Sequence, residues 1–407
     1  MPNAVLTIAL AIATSVGLSL ALPTGVAAQP PISKEYKYTG TGSCAASNCH
    51  GAKRPPAKAG DPDDTYTTWA AKDKHNKAYA TLSKKESAAI VQKMKLAKAT
   101  DEPKCLGCHA LRLSKDQLAP RAKYDISEGV SCDTCHGPAE KWLEGHDKGA
   151  KGGWPHEKSV SLGMYDTKDV LKRAELCVSC HLAIDADMVA AGHPTMIFEL
   201  DTFSQNQPPH WKNVKEWFGP LAWSTGQAVA LRESLQQLAT RAKGNAPDAL
   251  VQESLTQSRG HIIAVRPMAA QVAADSAKAL DDVMGALGDG KDKGKVVAAA
   301  ESGVKVANDL AKKLSQAKLN KDVVWTVLKG LVSDPQRATS AGLRSAEQVA
   351  MGVDSLYRAV ADVAKPPEHK AIDAAITKMF DELPTKPADF KADKFTANVQ
   401  GVAKNIK

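Results

Sequence analysis

Four histidines in this chain each follow a cysteine directly, with a second cysteine a few residues upstream. The sets are Cys44/Cys49-His50, Cys105/Cys108-His109, Cys132/Cys135-His136 and Cys177/Cys180-His181. The last three read C-x-x-C-H and the first reads C-x4-C-H. C-x-x-C-H is the attachment signature of c-type haem: two thiols form thioethers to the porphyrin and the adjacent imidazole binds the iron. All eight cysteines of the chain are used this way, which predicts four covalently bound haem c groups. Disulfides would suit an even cysteine count in an exported protein. They give no reason for a histidine after every second cysteine. Structural zinc needs two C-x2-C pairs per ion and leaves the histidines surplus. A thioredoxin-like C-x-x-C needs a βαβ context that the sequence does not offer.

The proximal iron ligands are therefore His50, His109, His136 and His181. An iron held by one histidine has a sixth position to fill. A second histidine there suits electron transfer, whereas a vacant position allows small-molecule chemistry. Five further histidines lie in the same part of the chain: His75, His146, His156, His193 and His210. His75, His146, His193 and His210 are the distal candidates. His193 sits between Gly192 and Pro194, and His210 precedes Trp211. His156, after Trp154-Pro155, is the weakest of the five. Histidine is expected over the nearby Met164, Met188 and Met196.

Two regions must position these groups. Residues 29–212 hold every cysteine and nine of the eleven histidines, with many glycines and prolines and only short helical patterns. Few side chains serve each cofactor, so the haems themselves are expected to form the core of this tetrahaem domain. Folding would then be coupled to cofactor insertion. From residue 213 to 407 there is no cysteine, and apolar residues recur at helical spacing. One face uses Leu343, Ala346, Val349, Val353, Leu356, Val360 and Val363, with Asp334-Pro335 as its start and Lys365-Pro366-Pro367 as its stop. Another uses Leu231, Leu235, Leu238 and Ala242 and ends before Gly244. Pro267 is expected to open a helix running to Leu287, a further helix spans Lys295 to Lys318, and two shorter ones follow Pro367 and Pro387. The fold class is mainly α: a loop-rich multihaem domain with short helices packed on haems, followed by a haem-free helical bundle. The bundle reads as a structural or docking module.

Residues 1–28 read as a Sec signal peptide, apolar from Ala4 to Leu22 and cut near Ala28, although no Lys or Arg precedes the apolar run. A periplasmic or extracellular location follows and agrees with haem attachment outside the cytoplasm. The formal net charge is +8, with 53 basic and 45 acidic residues interleaved. That is a mild field able to steer acidic redox partners, and no nucleic-acid recognition motif accompanies it.

The run Gly129-Val130-Ser131-Cys132-Asp133-Thr134-Cys135-His136-Gly137-Pro138-Ala139, with Ala191-Gly192-His193-Pro194, resembles the tetrahaem cytochrome c-554 family. Its best-known members take electrons from hydroxylamine oxidoreductase in ammonia oxidation. The resemblance covers roughly residues 40–212 and does not reach the helical half. It implies that His75 serves the fourth haem and His146 the first. It gives the third haem His193, with His210 second, and leaves the iron on His109 five-coordinate. It also implies haems stacked in close parallel pairs. The sequence departs from the family in its C-x4-C-H motif and its surplus histidines. The expected role is electron transfer between redox partner proteins, as a carrier rather than a catalyst. A membrane-associated partner or an oligomer is compatible with it. An N-oxide reductase acting at an open His109 haem, or a subunit of an extracellular cytochrome filament, are the alternatives.

Overall fold

The computed structural model describes residues 33–54, 63–146, 153–208, 216–244, 246–364 and 369–406. The signal-peptide segment and His210 lie outside them. The described residues are mainly helical and contain no strand beyond an isolated bridge between Tyr38 and Leu118. In the first half the helices are short: α1 (Thr65–Lys72), α2 (Ala78–Thr81), α3 (Lys85–Lys93), α4 (Pro103–His109), α5 (Cys132–His136), α6 (His156–Ser161), α7 (Val170–His181), α8 (Ala186–Ala191) and α9 (Leu200–Asn206). The second half has long ones: α10 (Phe218–Lys243), α11 (Asp248–Val272), α12 (Ala274–Leu287), α13 (Lys293–Ser315), α14 (Lys321–Val332), α15 (Gly342–Ala364), α16 (His369–Asp381) and α17 (Ala392–Asn405). No helix among the described residues is long and apolar enough to cross a membrane.

The two halves solve the burial problem differently. Apart from contacts to the bundle, the haem-motif half has one small apolar cluster, built on Leu82, Val91, Ala99, Cys105, Leu106 and Ala110. The bundle is a conventional core around α10. Residues 222–231 of that helix are buried on every side, as befits a central helix rather than an amphipathic one. It packs on α13, α11, α15, α7 and α9. Gly226 is needed there, because a Cβ would lie 2.6 Å from Leu200 Cβ at the start of α9. The change of composition near residue 212 is not a packing boundary. Val170, Ala174, Val178, Leu182, Phe198 and Leu200 belong to the same buried cluster as the bundle helices.

Most expected helices form, with three differences. Pro267 does not open a helix; it lies inside α11, whose end comes at Ala273. Packing on α14, where Gly330 meets the proline ring, outweighs the lost backbone bond. Asp334 does not cap the long helix: its Oδ1 accepts from Arg337 N–H at 3.2 Å, ahead of a 3-10 turn (Arg337–Thr339) whose cap position is Gln336. The long helix begins only at Gly342, and of its predicted face Val363 is 55% exposed while the residues from Leu343 to Val360 are buried. Helix α14 had no counterpart in the sequence reading. Its Asn320 cap accepts from Val323 N–H at 3.0 Å.

Candidate haem-binding site

Three of the four motifs end helices. In α4, α5 and α7 the cysteines stand three residues apart with the histidine next, so all three side chains project from one helical face. Each helix has a defined start. Pro103 occupies the first turn of α4. Ser131 and Thr134 form a reciprocal capping box on α5. Asp169 accepts from the Leu171 and Lys172 N–H groups at 2.9 and 3.1 Å to open α7. None of the eight cysteines is tied up in a disulfide.

The first motif is different. Its longer spacer is a turn following a 3-10 helix (Thr41–Ser43), closed by His50 N–H donating to Cys44 O at 3.3 Å. The longer spacer, which must loop out, sets Cys49 apart from the other cysteines. Cys49 is exposed, whereas the other seven cysteines are buried or partly so. The physical reason is the spacer. Without a helix to set both thiols on one face, the turn carries Cys49 outward, and its thiol donates to the adjoining Asn48 Oδ1 at 3.8 Å. Cys44, at the inner end of the turn, is partly buried.

The motifs meet across the chain. The Cys44 and Cys132 thiols lie near enough to shift each other's ionisation, which brings the first motif against the third. The Cys108 and Cys180 thiols do likewise, bringing the second against the fourth. Cys135 and Cys177 are near enough to interact electrostatically, so the third and fourth are also neighbours.

The histidines are prepared as ligands. A carbonyl or carboxylate can only accept, so an Nδ1 facing one carries the proton, leaving the lone pair on Nε2. His109 Nδ1 donates to Ala78 O at 2.9 Å, with Thr81 Oγ1 also at 2.9 Å. His146 Nδ1 donates to Leu143 O at 2.6 Å, and His193 Nδ1 to Pro194 O at 2.9 Å. Carboxylates serve the other two: Asp63 Oδ1 holds His50 Nδ1 at 2.9 Å, and Asp73 Oδ1 holds His75 Nδ1 at 2.9 Å. Burial pushes both carboxyls up, but bonds from their histidines and further partners outweigh it, and each is held at about 2. Such partners fix the tautomer and raise the basicity of the ligand. His156 is built the other way. Its Nε2 faces Asp166 Oδ1 at 2.9 Å, an ion-pair arrangement that occupies the nitrogen the others present.

Two pairs of imidazoles face each other. The ring centroids of His50 and His146 are 6.0 Å apart, and those of His75 and His181 are 5.8 Å apart. Two imidazoles on one metal, each bonded at about 2 Å, stand with centroids roughly 6 Å apart. The two separations match that span, with the ring planes at 23° and 88° to each other. His181 adds a buried Nδ1 with no hydrogen-bond partner. Burial first, then the charge of His75, holds the His181 imidazole down at about 4, so it stays neutral and able to ligate. Phe198 and Phe203 wall its ring, with centroids 6.4 and 5.3 Å away.

His193 lies within electrostatic range of His109. Burial lowers the His109 pKa most, and the nearby His193 lowers it further. A salt link explains the approach. Lys104, on the same helix as His109, binds Asp185 and Asp187 at 3.0 and 2.9 Å, tying α4 to α8. Gly192 at φ +117° then turns the chain into His193. Sequence reasoning missed the partners Asp63, Asp73 and Thr81. Asp73 left a signal, since D-x-H allows the Asx turn in which its Oδ1 also accepts His75 N–H at 2.9 Å.

Cysteine pairs with a histidine on one helical face, and facing imidazoles at the span of one iron, define a c-type cytochrome. Residues 43–137 match the sequence model of the family described as cytochrome c554 and c-prime. A stretch of 123 residues is 31% identical to cytochrome c-554 of Nitrosomonas europaea, covering 26% of this chain and 48% of that protein. Over this stretch the chain is similar to the cytochrome c-554 family, and that likeness implies covalently bound haem c. The chain spans about half the length of the curated relative it matches. No solved structure matches.

Proposed function

We propose that the protein is an exported tetrahaem cytochrome that relays electrons between redox partner proteins. The observation that carries this reading is the pairing of proximal with distal histidines, His50 with His146 and His75 with His181, at the separation one iron requires. When bound, haem c supplies an iron that cycles between ferric and ferrous states. The chain's part is to keep that change small. Imidazoles from two histidines would keep a substrate off the iron, and carboxylates or carbonyls on Nδ1 hold the His50, His75 and His146 rings in place.

The family resemblance leaves the second haem, on His109, five-coordinate, and His193 lies within electrostatic range of that histidine. The exposure of Cys49 gives the first haem a thioether on its solvent side, with Cys44 as the inner one. The contacts between motifs support an order of first, third, fourth and second haem along the relay. The donor and acceptor are redox proteins met outside the cytoplasm, and the mild positive charge of the chain favours acidic ones. Intact-mass measurement on the exported protein, with a pyridine-haemochrome assay, tests the count. Four haems per chain with residues 1–28 removed is the expected result. Fewer than four, or an unprocessed cytoplasmic chain, would overturn it.

A further inference from the structure

The turn that carries His193 is held from outside the haem region. Two residues just beyond it are gripped by the helical bundle. Gln257 Nε2, on α11, donates to Met196 O at 2.5 Å. Arg344 Nη2, on α15, donates to Thr195 Oγ1 at 3.0 Å. Arg344 is itself fixed. It is 8% exposed, its Nε donates to Glu253 at 2.7 Å, and its Nη1 donates to both oxygens of Glu347 at 2.9 and 3.1 Å. With its guanidinium clamped by two carboxylates, the remaining donor has one direction, toward Thr195. The same bundle holds the chain upstream of the turn. Arg241 Nη2 and Gln237 Nε2 donate to Ile184 O at 2.8 and 3.3 Å. The segment between the fourth haem motif and α9 is thus pinned at both ends by residues of α10, α11 and α15.

We propose that Arg344 and Gln257 are positioning residues for a haem ligand: the carboxy-terminal bundle exists in part to hold the turn that presents His193, its Nδ1 fixed on Pro194 O, to a haem iron. This rests on His193 being an iron ligand. It gives the bundle a role inside the redox unit rather than beside it. It also accounts for a buried arginine whose donors run from two bundle carboxylates to one threonine hydroxyl of the haem region.

The test uses the full-length holoprotein and reads carbon monoxide binding to the reduced form, with the high-spin signal of the oxidised form. Thr195→Val keeps the shape and leaves Arg344 paired with its carboxylates, and Gln257→Leu removes the second bond. Losing both bonds to the turn favours detachment of His193 by roughly 30-fold. The double variant should therefore bind carbon monoxide at one haem per chain more readily than the parent, with haem content unchanged. Arg344→Lys, which cannot reproduce the forked contacts, should behave alike, and restoring Thr195 should return the parent spectrum. Two further results separate the claims. If His193→Ala itself exposes no iron, the ligand reading is wrong. If His193→Ala exposes one iron while the double variant only melts earlier, with spin state and carbon monoxide binding as in the parent, then the bundle contacts are structural and the inference fails.

Discussion

Replacing Asp73 by asparagine removes a charge from behind an iron ligand while keeping an oxygen that can accept its N–H. The size of the effect follows from the carboxyl itself. Asp73 is 2% exposed; burial pushes its carboxyl up, yet bonds from His75 and Gln207 hold it at about 2 against an ordinary 3.8. At about 1.4 kcal/mol for each factor of ten, that contact is worth roughly 2 kcal/mol to the folded chain. The sign is that of a depressed acid: the stabilisation is present above about pH 4 and is lost as the pH falls toward 2. A carboxylate on Nδ1 also makes His75 a stronger donor, which favours the ferric state. Each tenfold preference for the oxidised state is about 59 mV for one electron, so the whole interaction bounds the change near roughly 110 mV. Asp73→Asn should raise the midpoint potential of one haem by some tens of millivolts within that bound and flatten the acid limb of the stability curve. Potentiometric titration followed by absorbance, with melting curves from pH 2 to 7, measures both. Potentials that all stay within about 10 mV of the parent would refute the claim that Asp73 backs an iron ligand.

His261, buried in the bundle with Nδ1 at 2.8 Å from Gln227 Oε1, is held by burial, then by Arg344, at about 3 against an ordinary 6.5. Its contribution is full above about pH 6.5 and declines as the pH falls toward 3. His261→Gln should therefore make thermal stability less acid-sensitive in that window, and an unchanged melting profile against pH would contradict it. Leu235→Ala, at a fully buried position of α10, should cost about 2–5 kcal/mol in chemical denaturation with haem content unaltered. Gly192→Ala places a Cβ on a residue at φ +117°, at a cost of about 1–3 kcal/mol, and should disturb the spin state of one haem through the adjoining His193.

The chemistry was more legible in the sequence than the architecture that serves it. Cys-Cys-His triplets announce themselves because attachment needs three reactive groups at fixed spacing. Spacing alone did not tell where Cys49 would lie. Its two extra spacer residues replace the helix of the other motifs by a turn, and the thiol ends up exposed. The family resemblance assigned His146 to the first haem and His75 to the fourth, and the structure brings those rings to His50 and His181. The approach of the His193 segment to α4 was not readable: the Lys104 salt links to Asp185 and Asp187 join elements distant in the chain and leave no local pattern. Pro267 misled for a related reason. A proline is a helix opener only where nothing else holds the chain, and here α11 is held along its length by α14 and α15. The composition change near residue 212 suggested two modules. Long-range contacts such as Gln257 to Met196 and Arg344 to Thr195 join them in a way that no single helix face records.

The central claim is that histidine occupies both faces of each iron. Electron paramagnetic resonance and near-infrared magnetic circular dichroism on the oxidised holoprotein count low-spin bis-histidine irons directly. Four such irons and no high-spin signal is the predicted result. A high-spin iron amounting to one per chain, at the haem of His109, would contradict it and mark a site open to substrate.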